Sequence, residues 1–223
     1  MKNLLIIIFS LFTFVSASSK VAIALKVKGE VSITYKGLKT AQALKPGSPL
    51  NDQDKIKTGQ DGFVAIMYLD DKTVLKMLGD SDMTILGQRS GAKINKSIDI
   101  KYGKISASVT SQKGKEFRIS TPTSVASVKG TDLAISSNPS TGDSFTLIEG
   151  LIEVTNSLTG ESTEVQQGET AFSTPEGSLD VSQTTEEDLE GFEDVDIQTS
   201  TQELRFEVED DSGNTKEIII KFQ

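Results

Sequence analysis

Apolar and polar residues alternate with a period of two along most of this chain, and this pattern limits the fold more than any other feature. Residues 63–69 and 73–77 are rich in β-formers and flank Asp70-Asp71-Lys72, an arrangement typical of a β-hairpin. No stretch carries the apolar stripe of an amphipathic helix. The sequence therefore predicts an all-β domain, with further strands at 31–35, 98–102, 104–109, 116–120, 132–136, 144–149 and 151–156.

The N-terminus has the pattern of a signal peptide. Lys2 precedes an apolar run over residues 4–15, and Val15-Ser16-Ala17 has the small residues of a cleavage site. The run is shorter than the ~20 apolar residues that span a bilayer. We expect a signal peptide at 1–17 with cleavage after Ala17, no membrane span after cleavage, and a periplasmic or secreted product.

The chain contains no cysteine and no histidine, which excludes several classes of chemistry. Disulfides, a lipid anchor on cysteine, Ser-His-Asp and Cys-His nucleophiles and the usual zinc or haem ligands all require one of these residues. We expect no cofactor. Paired carboxylates remain as candidate catalysts of glycan hydrolysis, either Asp70 with Asp71 or Asp80 with Asp82.

Charge is distributed unevenly along the chain. Residues 20–135 contain 19 Lys+Arg and 11 Asp+Glu, whereas residues 136–223 contain 3 and 21. One interpretation is an ordinary solvated surface, and the other is a basic face that meets an anionic envelope polymer. Nucleic acid is not an expected partner, because no basic cluster is interleaved with aromatic residues.

Glycines recur with similar spacing in two places. Gly29 and Gly47 bracket one strand–turn–strand segment, and Gly150 and Gly168 bracket another, 18 residues apart in both cases. Glycine is the residue that enters tight or left-handed turns most easily. We predict that these four glycines are architectural.

The composition changes after Gly177. Residues 178–200 are predicted as an acidic linker with one helical turn near 186–189, and the acidic stretch 186–196 is either a solvated spacer or a clasp over the basic half of the molecule. Residues 201–223 predict a terminal β-hairpin with strands at 204–208 and 217–222. We expect it to dock on the main domain or on a partner, because a lone hairpin is barely stable in water.

Residues 121–135, TPTSVASVKGTDLAI, contain a Lys-Gly-Thr corner between two predicted strands. A phosphate loop requires GxxxxGK[ST] at the start of a helix, and here Lys129 precedes Gly130 instead. The acidic loop Asn51-Asp52-Gln53-Asp54 lacks the glycine of a calcium-binding loop. Neither motif therefore predicts its usual ligand.

The order of these motifs resembles the FecR-type domain. The matching segments are KGEV (28–31), LKPGSPL (44–50), DKIKTGQDGFVAIMYLDDKTVLKM (54–77), EFRISTPTSVASVKGTDLAI (116–135), LIEGLIEVTN (147–156) and VQQGETAF (165–172). The resemblance covers residues 25–177 and implies a two-sheet β-sandwich or β-roll-like domain over 20–177. Classical regulators of this type have a cytosolic anti-sigma arm and one membrane span before this domain. We expect a free-standing, exported protein that lacks both.

Within this resemblance, the Lys-Gly-Thr corner is a structural signature and not a catalytic loop. Pro122 would fix φ where a strand ends, and Val125 and Val128 would contact the core. Gly130 would allow a left-handed corner, and Thr131 and Asp132 would cap free backbone donors. The family usually has arginine at the position of Lys129, and a lysine there cannot form a planar bidentate ion pair.

These observations favour a non-catalytic interaction module of the cell envelope, which binds a protein or a wall polymer and takes part in envelope signalling. Exposed strand edges suggest binding by strand addition. The alternative is a carboxylate-dependent glycan hydrolase. The sequence leaves the oligomeric state open.

Overall fold

The computed structural model describes residues 20–91, 93–112, 116–192, 202–209 and 215–222. The described part is almost entirely β-structure, which confirms the predicted fold class. The predicted signal peptide lies outside the described residues. None of the helical structure in the described part is long and apolar enough to cross a membrane.

The period-two pattern forms short strands that follow one another closely. Their bounds are β1 Lys20–Lys28, β2 Val31–Thr34, β3 Gln42–Ala43, β4 Pro49–Asn51, β5 Lys55–Thr58, β6 Phe63–Tyr68, β7 Val74–Met77, β8 Asp82–Ser90, β9 Lys93–Val109, β10 Phe117–Ser120, β11 Ser124–Val128, β12 Thr131–Asn138, β13 Gly142–Glu149, β14 Leu151–Asn156, β15 Ser162–Gln166, β16 Glu169–Ser173, β17 Leu179–Gln183, β18 Gln202–Glu209 and β19 Thr215–Phe222.

Strands β1 to β17 form one continuous hydrogen-bonded system, which β9 divides into two arrays. The first array has the order β4–β1–β6–β7–β9–β12–β13–β16–β17. The second has the order β3–β2–β5–β8–β9–β10–β11–β14–β15. The β9–β10 pair is parallel, so the sheet is mixed. In both arrays, position across the sheet follows position along the chain, except that β4 lies outside β1 and β3 lies outside β2.

Strand β9 corrects the sequence analysis, which predicted two separate strands around Gly103. The strand is continuous, but its first part pairs with β8 and β10 and its last part pairs with β7 and β12. Gly103 has φ +112°, and a Cβ on it would lie 2.2 Å from Oγ of Ser81. Glycine therefore turns the strand from one array into the other without ending it.

The two arrays face one another across one hydrophobic core. Tyr68 of the first array contacts Phe117 of the second edge to face, with ring centroids 5.8 Å apart. The Tyr68 hydroxyl also donates to the carbonyls of Leu86 and Ser97 on the second array. Burial raises the pKa of this hydroxyl above its usual value, with a further contribution from the carboxylates nearby, so it remains a donor.

The sheet continues beyond Gly177, where the sequence analysis placed the start of a linker. Strand β17 pairs with β16 along its whole length, so residues 179–183 belong to the first array. The predicted helical turn is present as a 3₁₀ turn at Glu187–Leu189. The boundary assigned at 177 is therefore too early, because an acidic composition does not prevent an edge strand from pairing.

Residues 184–192, which we call the strap, fold back over the outer face of the first array. Thr184 donates its amide to the Gly168 carbonyl, and its hydroxyl lies 3.1 Å from that of Thr170. At the other end Lys104 donates to the Glu190 carbonyl, and its ammonium lies 5.7 Å from the ring centroid of Phe192. The strap thus spans the array from β16 to β9.

Burial confirms that the strap covers this face. Phe192 is 2% exposed, although it lies outside the main core cluster. In β12 and β13 three consecutive residues are buried, 133–135 and 145–147, which requires cover on both faces of the sheet. Residues 186–192 are therefore anchored to the array at one end, although Glu186, Glu187 and Glu190 remain exposed. The anchor is the buried Phe192 side chain together with the hydrogen bond from the Lys104 ammonium to the Glu190 carbonyl, whereas the predicted clasp relied on opposite charges.

The terminal hairpin is present as predicted. Strands β18 and β19 pair with each other in an antiparallel two-stranded sheet. Its connecting turn and residues 193–201 lie outside the described residues. The docking of this hairpin stays a prediction.

Replacing Phe192 by alanine should destabilise the protein because the strap loses its buried anchor. We expect Phe192→Ala to lower the free energy of unfolding by about 3 kcal/mol, as is usual for a buried phenylalanine. Phe172→Ala on the same face is the matched control, since Phe172 is 42% exposed, and it should cost less than about 1 kcal/mol. Urea titrations of both variants measure the difference, and equal losses would contradict the strap packing.

Candidate functional site

The Lys-Gly-Thr corner connects β11 of the second array to β12 of the first. Val128 is fully buried, whereas Val125 is only half-buried. Alternation along β11 turns Ala126 and Val128 towards the core and Val125 to the other face. The expectation that Val125 contacts the core is therefore wrong, because residues 125 and 128 are three positions apart and face opposite sides of one strand.

Gly130 and Lys129 form the exposed tip of this corner. Gly130 has φ +147°, and a Cβ on it would lie 3.0 Å from the Cα atom of Ser111. The Lys129 ammonium lies 3.4 Å from the Glu116 carboxylate, and both side chains are more than half exposed. Such an exposed pair contributes little stability.

The remaining corner residues do less than the sequence suggests. Pro122 is exposed and follows the end of β10. The Thr131 hydroxyl is buried and has no hydrogen-bond partner among the described residues, so the backbone capping expected of it is not formed. Asp132 is half-buried and lies at the start of β12, opposite Ser108 and Glu149.

The four glycines singled out by spacing all lie at turns where the chain passes from one array to the other. Gly29 and Gly150 precede β2 and β14, and Gly47 and Gly168 precede β4 and β16. Each has positive φ. Only at Gly29 and Gly150 is the space also closed, since a Cβ on Gly29 would lie 2.2 Å from the Asp61 carbonyl oxygen.

A buried polar cluster lies beneath the TPTS segment, and the sequence analysis missed it. One carboxylate oxygen of Asp143 accepts hydrogen bonds from the amide and hydroxyl of Thr123. The Thr123 hydroxyl and the Asn156 side chain both reach Ser173 on the opposite array. All four residues are at most 5% exposed. This cluster joins the two arrays where Pro122 ends β10.

Asp70 and Asp71, the first candidate catalytic pair, share one buried lysine. The Lys96 ammonium lies 2.9 Å from Asp70 and 2.6 Å from Asp71, and its side chain is 2% exposed. The amides of Ile94 and Thr73 donate to the same two carboxylates. These bonds fix the β6–β7 turn onto β9, so the pair has a structural role.

The electrostatics of Asp71 do not suit a general acid. Burial alone would raise its pKa, but hydrogen bonds from Lys96, the Thr73 amide and Gln112 outweigh burial and hold the pKa below its usual value. A general acid for glycoside hydrolysis requires a raised pKa. Asp71 therefore lacks the property that this reaction needs.

Asp80 and Asp82, the second candidate catalytic pair, lie in different surroundings. Asp82 is buried and lies 3.0 Å from the Lys55 ammonium and 3.1 Å from that of Lys57, and its hydrogen bond raises the pKa of Lys57. Asp80 is exposed and lines an open hollow with Tyr102 and Lys104, in which it is the only carboxylate among the described lining residues.

The carboxylates of the 51–54 loop also accept hydrogen bonds from backbone amides. Asp54 accepts from the amides of Asn51 and Lys36, and Asp52 accepts from the amide of Gly87. These contacts tie the β4–β5 loop to its neighbours. The composition of this loop is therefore explained by its turn geometry.

One end of the sandwich presents two strand edges, which together we call the acidic edge. Strand β15 ends the second array and β17 ends the first, and each pairs on one side within the described part of the chain. Most of their residues are exposed. Large apolar side chains are also exposed at this end, namely Leu151, Leu158, Phe172 and Val181. Unpaired edges with apolar neighbours can accept a further strand.

The model of the FecR protein family matches residues 54–153. This match confirms the resemblance to the FecR family over these residues. They include the β6–β7 turn with its buried lysine, the shared strand β9 and the Lys-Gly-Thr corner. The match fits a role in envelope signalling.

Solved structures provide a second comparison. Two crystal structures of a protein described as an anti-sigma factor from Parabacteroides distasonis ATCC 8503 are similar to the chain, with 14% and 15% sequence identity and TM-scores of 0.49 and 0.48. Each match covers 58% of this chain and 59% of the other. The chain thus spans 59% of the length of the structures it matches. No curated protein sequence matches it.

The lowered pKa of Asp71 predicts a specific dependence of stability on pH. A carboxylate whose pKa is depressed on folding stabilises the protein above its unfolded pKa of about 3.9, and this stabilisation is lost as the pH falls through the folded pKa. Asp71→Asn should therefore lose less stability than the unmodified protein between pH 5 and pH 2, measured by urea unfolding. The exposed control Asp99→Asn should keep the original slope. A slope unchanged by Asp71→Asn would contradict this.

Gly130→Val tests whether the corner requires glycine. We expect the melting temperature to fall by about 5 °C, because valine is strained at positive φ and its Cβ would meet the backbone of Ser111. Gly160→Val is the matched control, since Gly160 also has positive φ but open space around it. Its loss should be smaller, and calorimetry distinguishes the two. Equal melting temperatures would remove the steric argument.

Proposed function

We propose that this chain is an exported, non-catalytic module of the cell envelope that takes part in signalling by binding another protein. The observation that carries the proposal is the FecR match over residues 54–153. The occupied carboxylates support it, because three of the four acids that the sequence offered for catalysis, Asp70, Asp71 and Asp82, form ion pairs with lysines. The signal-peptide pattern supports export.

Strand addition at the acidic edge is the mode of binding that the fold favours. The opposite edges, β3 and β4, are two and three residues long, whereas β15 and β17 have five residues each. A partner strand can form more backbone hydrogen bonds on the longer edges. The partner strand would carry basic residues, because Glu164 and Asp180 lie on these edges.

Site-specific photocrosslinking in living cells tests this proposal. A photoreactive residue at Ser182, exposed on β17, should crosslink a protein of the envelope fraction, which mass spectrometry then identifies. The same residue at Lys93, exposed at the tip of the β8–β9 hairpin, is the matched control and should not crosslink that protein. A partner that is an outer-membrane receptor or a membrane-bound regulator would support the signalling role.

Two results would overturn the proposal. Crosslinks from Ser182 to wall glycan in place of protein would make the chain a polymer binder. Equal crosslinking from Ser182 and Lys93 would show that the acidic edge is not the binding surface. Fractionation of the same cells checks export, which requires the protein outside the cytoplasm.

A further inference from the structure

The two ends of the sandwich carry opposite charge. The early strands, β1 to β5, lie at one end of the arrays, and the late strands, β13 to β17, lie at the other. Residues 136–192 contain twelve Asp+Glu and no Lys or Arg. The charge asymmetry of the sequence therefore becomes an asymmetry in space, and the acidic edge is formed from a stretch without any cation.

The opposite end has an edge with complementary charge, which we call the basic edge and define as residues 36–45. It contains Lys36, Lys39 and Lys45 and no carboxylate. All residues from 36 to 43 are exposed, and β3 within this edge pairs with β2 on one side in the described chain. Lys36 lies 3.9 Å from Asp52, and because the Lys36 side chain is more than half exposed, this contact contributes little.

Both edges also expose apolar side chains. Leu38 on the basic edge is 55% exposed, between Lys36 and Lys39. Leu151 is 49% and Leu158 70% exposed at the acidic end. An interface between such edges would bury apolar surface and pair opposite charges, and apolar burial supplies most of the affinity at protein interfaces.

We infer that the acidic edge binds the basic edge of a second copy of this chain, so that copies associate head to tail. This inference rests on the proposed protein binding at the acidic edge and identifies one partner. The two edges are different surfaces at opposite ends of the sandwich, so each copy keeps one free edge when a pair has formed. Such a heterologous contact forms chains or rings and not closed dimers.

Charge reversal on each edge tests the inference with the full chain. Analytical ultracentrifugation should show concentration-dependent association that weakens as salt rises, because exposed charges are screened. Lys36→Glu with Lys39→Glu should reduce the association constant by about tenfold or more, and so should Glu164→Lys with Asp180→Lys, since each change opposes like charges. Lys93→Glu with Lys101→Glu, an equal change of charge away from both edges, should leave association unchanged.

Combining the two charge-reversed variants shows whether a loss of association is caused by lost pairing or by misfolding. A 1:1 mixture of the two reversed variants should regain association, because every contact in the mixture again joins an acidic to a basic edge. The variant with all four reversals should also associate with itself. A monomeric unmodified chain, or a control double variant that weakens association equally, would overturn the inference.

One further comparison distinguishes this inference from the proposed function. If Lys36→Glu with Lys39→Glu leaves photocrosslinking from Ser182 to an envelope protein intact and the chain is monomeric, the proposed function stands and head-to-tail association fails. If the unmodified chain associates through the two edges but crosslinks only to itself, the inference stands and the signalling partner is missing.

Discussion

The bend of β9 at Gly103 is the constraint on which both arrays depend. The strand gives β8 and β10 their partner on one side of the bend and β7 and β12 theirs on the other. Ser81 locks the bend, because its hydroxyl accepts from the Lys104 amide at 3.1 Å and its own amide donates to Thr58. Any side chain at position 103 would displace Ser81. The core between the arrays exists because one strand belongs to both.

Carboxylates in this fold hold neighbouring strands together through ion pairs. Asp70 and Asp71 hold a turn through buried Lys96, and Asp82 is held by two lysines on β5. Hydrogen bonds from Lys96, the Thr73 amide and Gln112 hold the pKa of Asp71 below its usual value, which suits a structural role and opposes proton donation. Asp71 therefore does not suit the general acid that glycan hydrolysis requires.

The sequence pattern predicted those features that depend on residues close together in the sequence. Alternation and the Asp-Asp turn predicted the β6–β7 hairpin, and glycine spacing indicated the turns between arrays. Non-local contacts could not be predicted in this way. Gly103 is typical of a strand end, yet the partners on both sides keep β9 continuous. Phe192 is buried against a face of the first array whose residues lie far from it in the sequence. The acidic residues around Phe192 gave no indication of this burial. The pairing of Lys96 with two acids more than twenty residues away left no signal in spacing.

The strap decides which surface of the first array can take a partner. It covers the outer face from Thr170 to Lys104, so small buried residues there are already packed. It leaves β17 at the end of the array paired on one side within the described chain, with Val181 and Phe172 exposed nearby. A partner therefore gains more from the edge, where backbone groups and apolar side chains are both available, than from the covered face. Removal of Phe192 should open the face without changing the edge, and so the two surfaces can be separated experimentally.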